Sequence, residues 1–272
     1  MVTGNKFNKE LSDHLKLILY LDQHCFSYSI FDNARNCFQK MKHYIIQNNN
    51  HNVIRELIET DSNLEKKYQK TLCVIDVNSS TFIPEPLFDS TNINHYLELI
   101  SNKDKSYECK YVKQQFLDAY SVFKINKNLL ALIESKFQPI SLKSTASIVV
   151  DYALSLRQLK KNQILAQVNS NNFHITLIQD GKFIFYNKFH FETKEDFLYY
   201  FMNCIYTLSI PSKNSRILIM SNLNKDDVLF EKLMKYARIE FVERPENFLY
   251  ENAIIEQDSH KYHNLFSQVI CE

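Results

Sequence analysis

The chain has 272 residues, 45% hydrophobic and 23% charged, a composition that supports packed cores in two domains. Lysine plus arginine (32) balance aspartate plus glutamate (31), so the broad positive field of a nucleic-acid binder is missing. No run of about 18 apolar residues marks a membrane-spanning helix, and the six cysteines form no C-x-x-C pair, so a reducing cytoplasm is the expected location.

Leu15–Leu21 and Cys25–Phe31 read as strands joined by Asp22-Gln23-His24, the second alternating through Phe26, Tyr28 and Ile30. A short third strand is expected over Asn36–Met41. Val53, Ile54, Leu57 and Ile58 then recur at helical spacing, and Leu72–Val77 is an apolar strand of the buried kind. Asn78–Thr91, with two prolines, reads as a loop anchored through Leu87 and Phe88. Ile93, Tyr96, Leu97 and Ile100 predict a helix, Ala119–Ile125 a strand, and Leu129, Leu130, Ile133 and Phe137 a further helix. Lys103–Asp118 reads as an insertion, with a strand pair expected around Glu108–Lys113.

From Ser144 a similar order returns. Ile148, Tyr152, Leu156 and Leu159 mark a helix, followed by strands at Gln163–Val168, Phe173–Gln179 and Lys182–Phe189, the last two joined by the hairpin signal Asp180-Gly181. Thr193 and Asp196 form a capping-box pair that opens a helix with Phe197, Phe201, Cys204, Ile205 and Leu208 on one stripe. Arg216–Met220, Asp226–Ala237 and Ile239–Val242 read as strand, helix and strand. The pattern predicts an α/β protein of two βββαβαβ halves, residues 1–140 and 141–272, with mixed sheets and a central cleft.

This doubled order resembles the actin-like (ribonuclease H-like) fold of sugar kinases and heat-shock chaperone ATPases. The sequence is also similar to an uncharacterised bacterial family assigned to that fold. That similarity rests on Phe82-Ile83-Pro84-Glu85-Pro86-Leu87-Phe88-Asp89, Glu195-Asp196-Phe197-Leu198-Tyr199-Tyr200 and His263-Asn264-Leu265-Phe266. A more distant likeness, through fold alone, is to the actin-like cytoplasmic component of type IV pilus machines. The resemblance implies three glycine-bearing nucleotide turns, where backbone N–H groups approach phosphate or adenosine without an intervening Cβ. The chain has only two glycines, Gly4 in the N-terminal tail and Gly181 in a hairpin. The corresponding turns read Leu21-Asp22-Gln23-His24-Cys25, Val168-Asn169-Ser170-Asn171-Asn172 and Ile219-Met220-Ser221-Asn222-Leu223. A left-handed non-glycine residue costs roughly 1–2 kcal/mol, against about 4 kcal/mol for binding at a millimolar dissociation constant. ATPase activity and a nucleotide cofactor are therefore not expected. The same scarcity removes the P-loop, the Rossmann fingerprint and the G-x-S-x-G elbow.

Asp22, His24, Asn169, Asn172, Ser221 and Asn222 are the candidates for a cleft site, weighed against a plainer role in capping strand turns. His260 and His263 stand at i, i+3 without a third ligand of recognisable spacing, so no metal site is assigned. The aromatic concentration that includes Phe183, Phe185, Tyr199 and Tyr200 fits either a sheet covered on both faces or a partner-binding surface. The expected function is a non-catalytic interaction or scaffold protein with an unidentified protein partner, no nucleic acid and no membrane insertion. The alternative is an enzyme or small-ligand binder with a non-standard site in the cleft.

Overall fold

A computed structural model describes residues 14–46, 51–98, 100, 104–156, 162–208 and 215–272. Gly4, Lys103 and Leu159 lie outside them. The chain divides into two compact units, the first drawn from Met1–Lys113, Asp118–Thr145 and Pro245–Gln257, the second from Gln114–Leu117, Ala146–Arg244 and Asp258–Glu272. The second unit thus lacks Pro245–Gln257, which a cut at residue 140 would assign to it.

The first unit runs β1 (Leu15–Leu21), β2 (Cys25–Asp32), β3 (Cys37–Ile45), α1 (His51–Thr60), β4 (Lys70–Ile75), β5 (Ser80–Pro84), α2 (Ile93–Glu98), β6 (Tyr107–Lys113), β7 (Ala119–Asn126), α3 (Lys127–Lys136) and β8 (Ile140–Ser144). Its main sheet places β3-β2-β1-β4-β8 side by side, β1 antiparallel to β2 and parallel to β4. Alternation puts Leu17, Leu19 and Leu21 on one face, where they meet Ile54 and Ile58 of α1 and Leu129, Leu130 and Ile133 of α3. Asn126 starts α3 by accepting hydrogen bonds from the N–H groups of Asn128 and Leu129.

Four expectations for this unit need correction. Ser80–Pro84 is a strand, not a loop, and it pairs with β7, while β6 pairs with the other side of β7. These three strands and α2 form a separate small sheet around Leu97, Cys109 and Val122, so the insertion runs from β5 to β7 rather than over 103–118. The strand completing the main sheet is β8, from the stretch read as a joint between halves. Apolar patterning identifies a strand but does not say which neighbour it pairs with, because pairing is a long-range choice. Leu87 is exposed rather than anchored, and Phe88 stacks on Tyr120 with ring centroids 3.9 Å apart.

The second unit contains α4 (Thr145–Ser155) from Ala146 on, β9 (Asn162–Val168), β10 (Asn172–Gln179), β11 (Lys182–His190), α5 (Lys194–Thr207), β12 (Ser215–Ser221), α6 (Val228–Met234) and β13 (Ile239–Phe241). Its sheet runs β11-β10-β9-β12-β13, the same relative order as in the first unit. Asp180 and Gly181 both have positive φ, 50° and 75°, as an Asp-Gly hairpin turn requires. Thr193 and Asp196 close a capping box at the start of α5. Phe197 and Phe201 then bury completely against Phe173 of β10, each stabilising the fold by roughly 2–3 kcal/mol. On the other face, the Gln163 side chain donates to the carbonyl of Ala153 in α4.

Beyond β13 the chain forms β14 (Leu249–Tyr250), α7 (Asn252–Ile255) and α8 (His263–Ile270). β14 pairs in parallel with β3 and extends the first unit's sheet to six strands.

Candidate functional site

In the first unit the carboxyl ends of parallel β1, β4 and β8 place Asp22, Asp76 and the Ser144-Thr145 pair along one sheet edge, the position where open α/β sheets take ligands. The Asp22 N–H donates to the carbonyl of Cys25 at 3.0 Å, which closes a tight hairpin. Its Oδ1 accepts the N–H groups of His24 and Cys25, each at 2.7 Å. Burial pushes the Asp22 carboxyl above the ordinary carboxylate range; the His24 N–H opposes this and the charge of Asp76 adds to it. Burial, then the charges of Asp22 and Asp76, also hold the Tyr20 hydroxyl well above its usual range. His24 is half-buried, and its carbonyl accepts the N–H of Ile46 at 2.8 Å.

Sequence reasoning missed Asp76, although a signal was present, a carboxylate interrupting the apolar run Leu72–Val77. Its N–H donates to the carbonyl of Leu21, locking it beside the Asp22 turn. Ser27 and His43 face each other across β2 and β3 with Oγ and Nδ1 2.8 Å apart. The Ser27 hydroxyl is fully buried, so the pair is an internal hydrogen bond rather than an accessible nucleophile and base. Cys25 is held well above the usual thiol range by burial and then by Asp22, so it stays protonated.

In the second unit the carboxyl ends of β9 and β12 carry the other candidates. The Asn169 N–H donates to the carbonyl of Asn172, and its Nδ2 donates to Asn172 Oδ1 at 3.1 Å. Asn172 Nδ2 in turn donates to Asn171 Oδ1. Ser221 Oγ donates to the Val168 carbonyl at 2.7 Å and accepts the Leu223 N–H at 3.1 Å. Asn222 Oδ1 accepts the N–H of Tyr262, whose φ of 63° turns the chain into α8.

Asn169, Ser221 and Asn222 line a small cavity of about 10 Å³ with Gln167, Met220, His263 and Asn264, room for about one water molecule. Asn172 stands behind this group, bonded to Asn169. His263 is 2% exposed, and burial lowers its pKa to about 4 despite the backbone of Val242 and Glu243 nearby, so the ring is neutral at pH 7. His260 contacts the Leu223 carbonyl through Nε2 at 2.9 Å. Gln167, His263 and Asn264 were not among the expected site residues, although His263-Asn264 opens one of the resemblance segments. Asp22 and His24 belong to the first unit and the other four candidates to the second.

The aromatic candidates gather at one edge of the second unit. Phe183 and Phe185 lie on edge strand β11 and are half-buried, while Ile184 is 49% exposed. Tyr200 stacks on Phe189 at 5.6 Å and meets Tyr199 edge-on, and Tyr199 is 66% exposed.

Known structures share this architecture. A crystallised protein of actin-like ATPase fold and unknown function from Bacteroides thetaiotaomicron VPI-5482 superposes with a TM-score of 0.81 at 16% identity, over 100% of both chains. The PilM–PilN type IV pilus biogenesis complex gives 0.53 at 8% identity, over 94% of each chain. At such identities the likeness establishes the fold, which is actin-like. No curated protein sequence matches the chain. The profile of a family described as "Protein of unknown function (DUF3822)" matches residues 4–239, and the chain belongs to that family.

Proposed function

We propose that this chain is a non-catalytic member of the actin-like fold that works by binding another protein. The observation carrying this reading is the Asp22 turn. Backbone N–H groups in such a turn are available to grip phosphate only if nothing else occupies them. Here Asp22 Oδ1 takes those of His24 and Cys25. The other two turns support the same reading, since Asn169, Asn172, Ser221 and Asn222 spend polar groups on one another or on nearby backbone. The cavity beside them is far below the roughly 300 Å³ of a small-molecule pocket. The similar PilM–PilN structure is itself a complex, so a chain of this fold takes part in a protein assembly there.

The test is isothermal titration of the full chain with magnesium–ATP at concentrations that detect millimolar binding. We expect no saturable heat and no thermal shift. Saturable binding would sink the non-catalytic reading.

A further inference from the structure

We propose that the cavity at the carboxyl ends of β9 and β12 is a hydration site, in which one internal water molecule donates to His263 and Asn264 and is a fixed part of the second unit. Such a site is independent of whether the chain binds magnesium–ATP.

Three stretches of chain build the wall. β9 contributes Gln167 and the following Asn169, β12 contributes Met220 and Ser221 with Asn222 after it, and α8 begins with His263 and Asn264. All of them belong to the second unit. They enclose about 10 Å³, close to the least space that holds a water. Asn222 Oδ1 fixes the start of α8 beside the strand ends by accepting the Tyr262 N–H at 2.8 Å.

The hydrogen-bonding groups on this wall specify the occupant. His263 is 2% exposed and Asn264 7%. Among the described residues, neither ring nitrogen of His263 has a hydrogen-bond partner of good geometry, and neither has Asn264 Oδ1. The ring is neutral at pH 7, so it carries one N–H and one bare nitrogen. The backbone of Val242 and Glu243 is close by, and a carbonyl there can take the N–H. No carbonyl can serve the bare nitrogen, which only accepts. Asn264 Oδ1 only accepts as well. What completes the site is therefore a donor that reaches two acceptors, and leaving such buried acceptors unserved is costly.

The wall's own hydroxyl is already committed, since Ser221 Oγ donates to the Val168 carbonyl at 2.7 Å. A water molecule has two hydrogens to give. Its oxygen can take an N–H from the first turn of α8, which has no side-chain cap. A cation fits less well, because none of the lining side chains is a carboxylate and a cation buried without a counter-charge is expensive. Asn169, Ser221 and Asn222, candidates for a ligand site in the sequence, thus frame a water that ties two strand-end turns to α8.

Oxygen-17 magnetic relaxation dispersion of the full chain detects waters that stay inside longer than the protein takes to tumble. We expect His263→Phe, which keeps a ring of similar size but removes the acceptor, to lose one long-lived water per chain relative to wild type. An unchanged dispersion in that variant would overturn the proposal. High-resolution crystallography of the wild type needs no variant to fold. It should show one density peak within hydrogen-bond distance of a His263 ring nitrogen and of Asn264 Oδ1. An empty cavity would sink the idea, and so would a peak that turns anomalous when potassium is exchanged for rubidium, since the occupant is then a monovalent cation.

Discussion

Single residues decide how the turns of this fold are used. Asp22 sits in the turn between β1 and β2 and itself accepts two backbone N–H groups there, those of His24 and Cys25. The absence of glycine was plain in the sequence; the occupation of the donors was not, because an Asx-type bond depends on the actual turn geometry. His263 shows a different consequence of position. Its pKa lies near 4 when folded, against an ordinary value of 6.5. The unfolded chain therefore binds a proton that the folded chain refuses between those values, so stability falls as pH is lowered through that window. From pH 7 to pH 5 the loss from this ring should be about 2 kcal/mol. Urea unfolding of the wild type and of His263→Gln at both pH values measures it. The variant should show a smaller acid-induced loss, and an equal loss in both proteins would exclude His263 as its source.

At the scale of elements, the end of α1 is fixed to the first unit's sheet by Asp61. Its Oδ2 accepts from Tyr28 of β2 and from Lys42 and Tyr44 of β3 at 2.8, 2.7 and 2.6 Å, and its Oδ1 accepts the Asn63 N–H at 2.9 Å. Burial alone would raise this carboxyl, but the bonds from Lys42, Tyr44, Asn63 and Tyr28 outweigh it and hold it well below the usual range. Lys42 is half exposed, so solvent screens its ion pair and reduces what that pair adds to stability. Asp61→Ala should lower unfolding stability at pH 7 by about 2–4 kcal/mol. A carboxyl depressed on folding contributes stability above its unfolded pKa and loses it as pH falls, so the gap between wild type and variant should narrow below about pH 4. A gap that stays constant down to pH 3 would mean the loss is packing, not the ionised carboxylate. Nothing local announced this network. Asp61 lies 33 residues from Tyr28 in the chain, and no local pattern points from one to the other.

At the scale of the molecule, all six cysteines are free and buried. Burial raises the thiols of Cys25, Cys37, Cys73 and Cys109, and takes Cys204 to about 11. A thiol that is both buried and protonated reacts slowly. Ellman's reagent at pH 8 should therefore label none of the six within minutes in the native chain and all six in guanidinium. Rapid labelling of one native thiol would mean that its segment opens easily.

Sequence alone determined the class of this protein and most of its elements. Short apolar runs, alternating in β2 and continuous in β4, placed β1, β2, β4 and β9 to β12, because a strand packed on a core carries apolar residues on one face or on both. The sequence also places no glycine in the turns at Asp22, Asn169 and Ser221, where the resemblance implies glycine-bearing nucleotide turns. Tertiary structure decided which strands pair. It sent β7 into a small separate sheet, drew β8 into the main one, and brought β14 back to β3 from more than 200 residues away, all choices between partners of similar pattern. It also decided that His263 lies beside Asn169 and Ser221, and that the β14 segment buries Phe38. These are facts of long-range packing, and a periodicity read over a dozen residues carries no information about what lies across the fold.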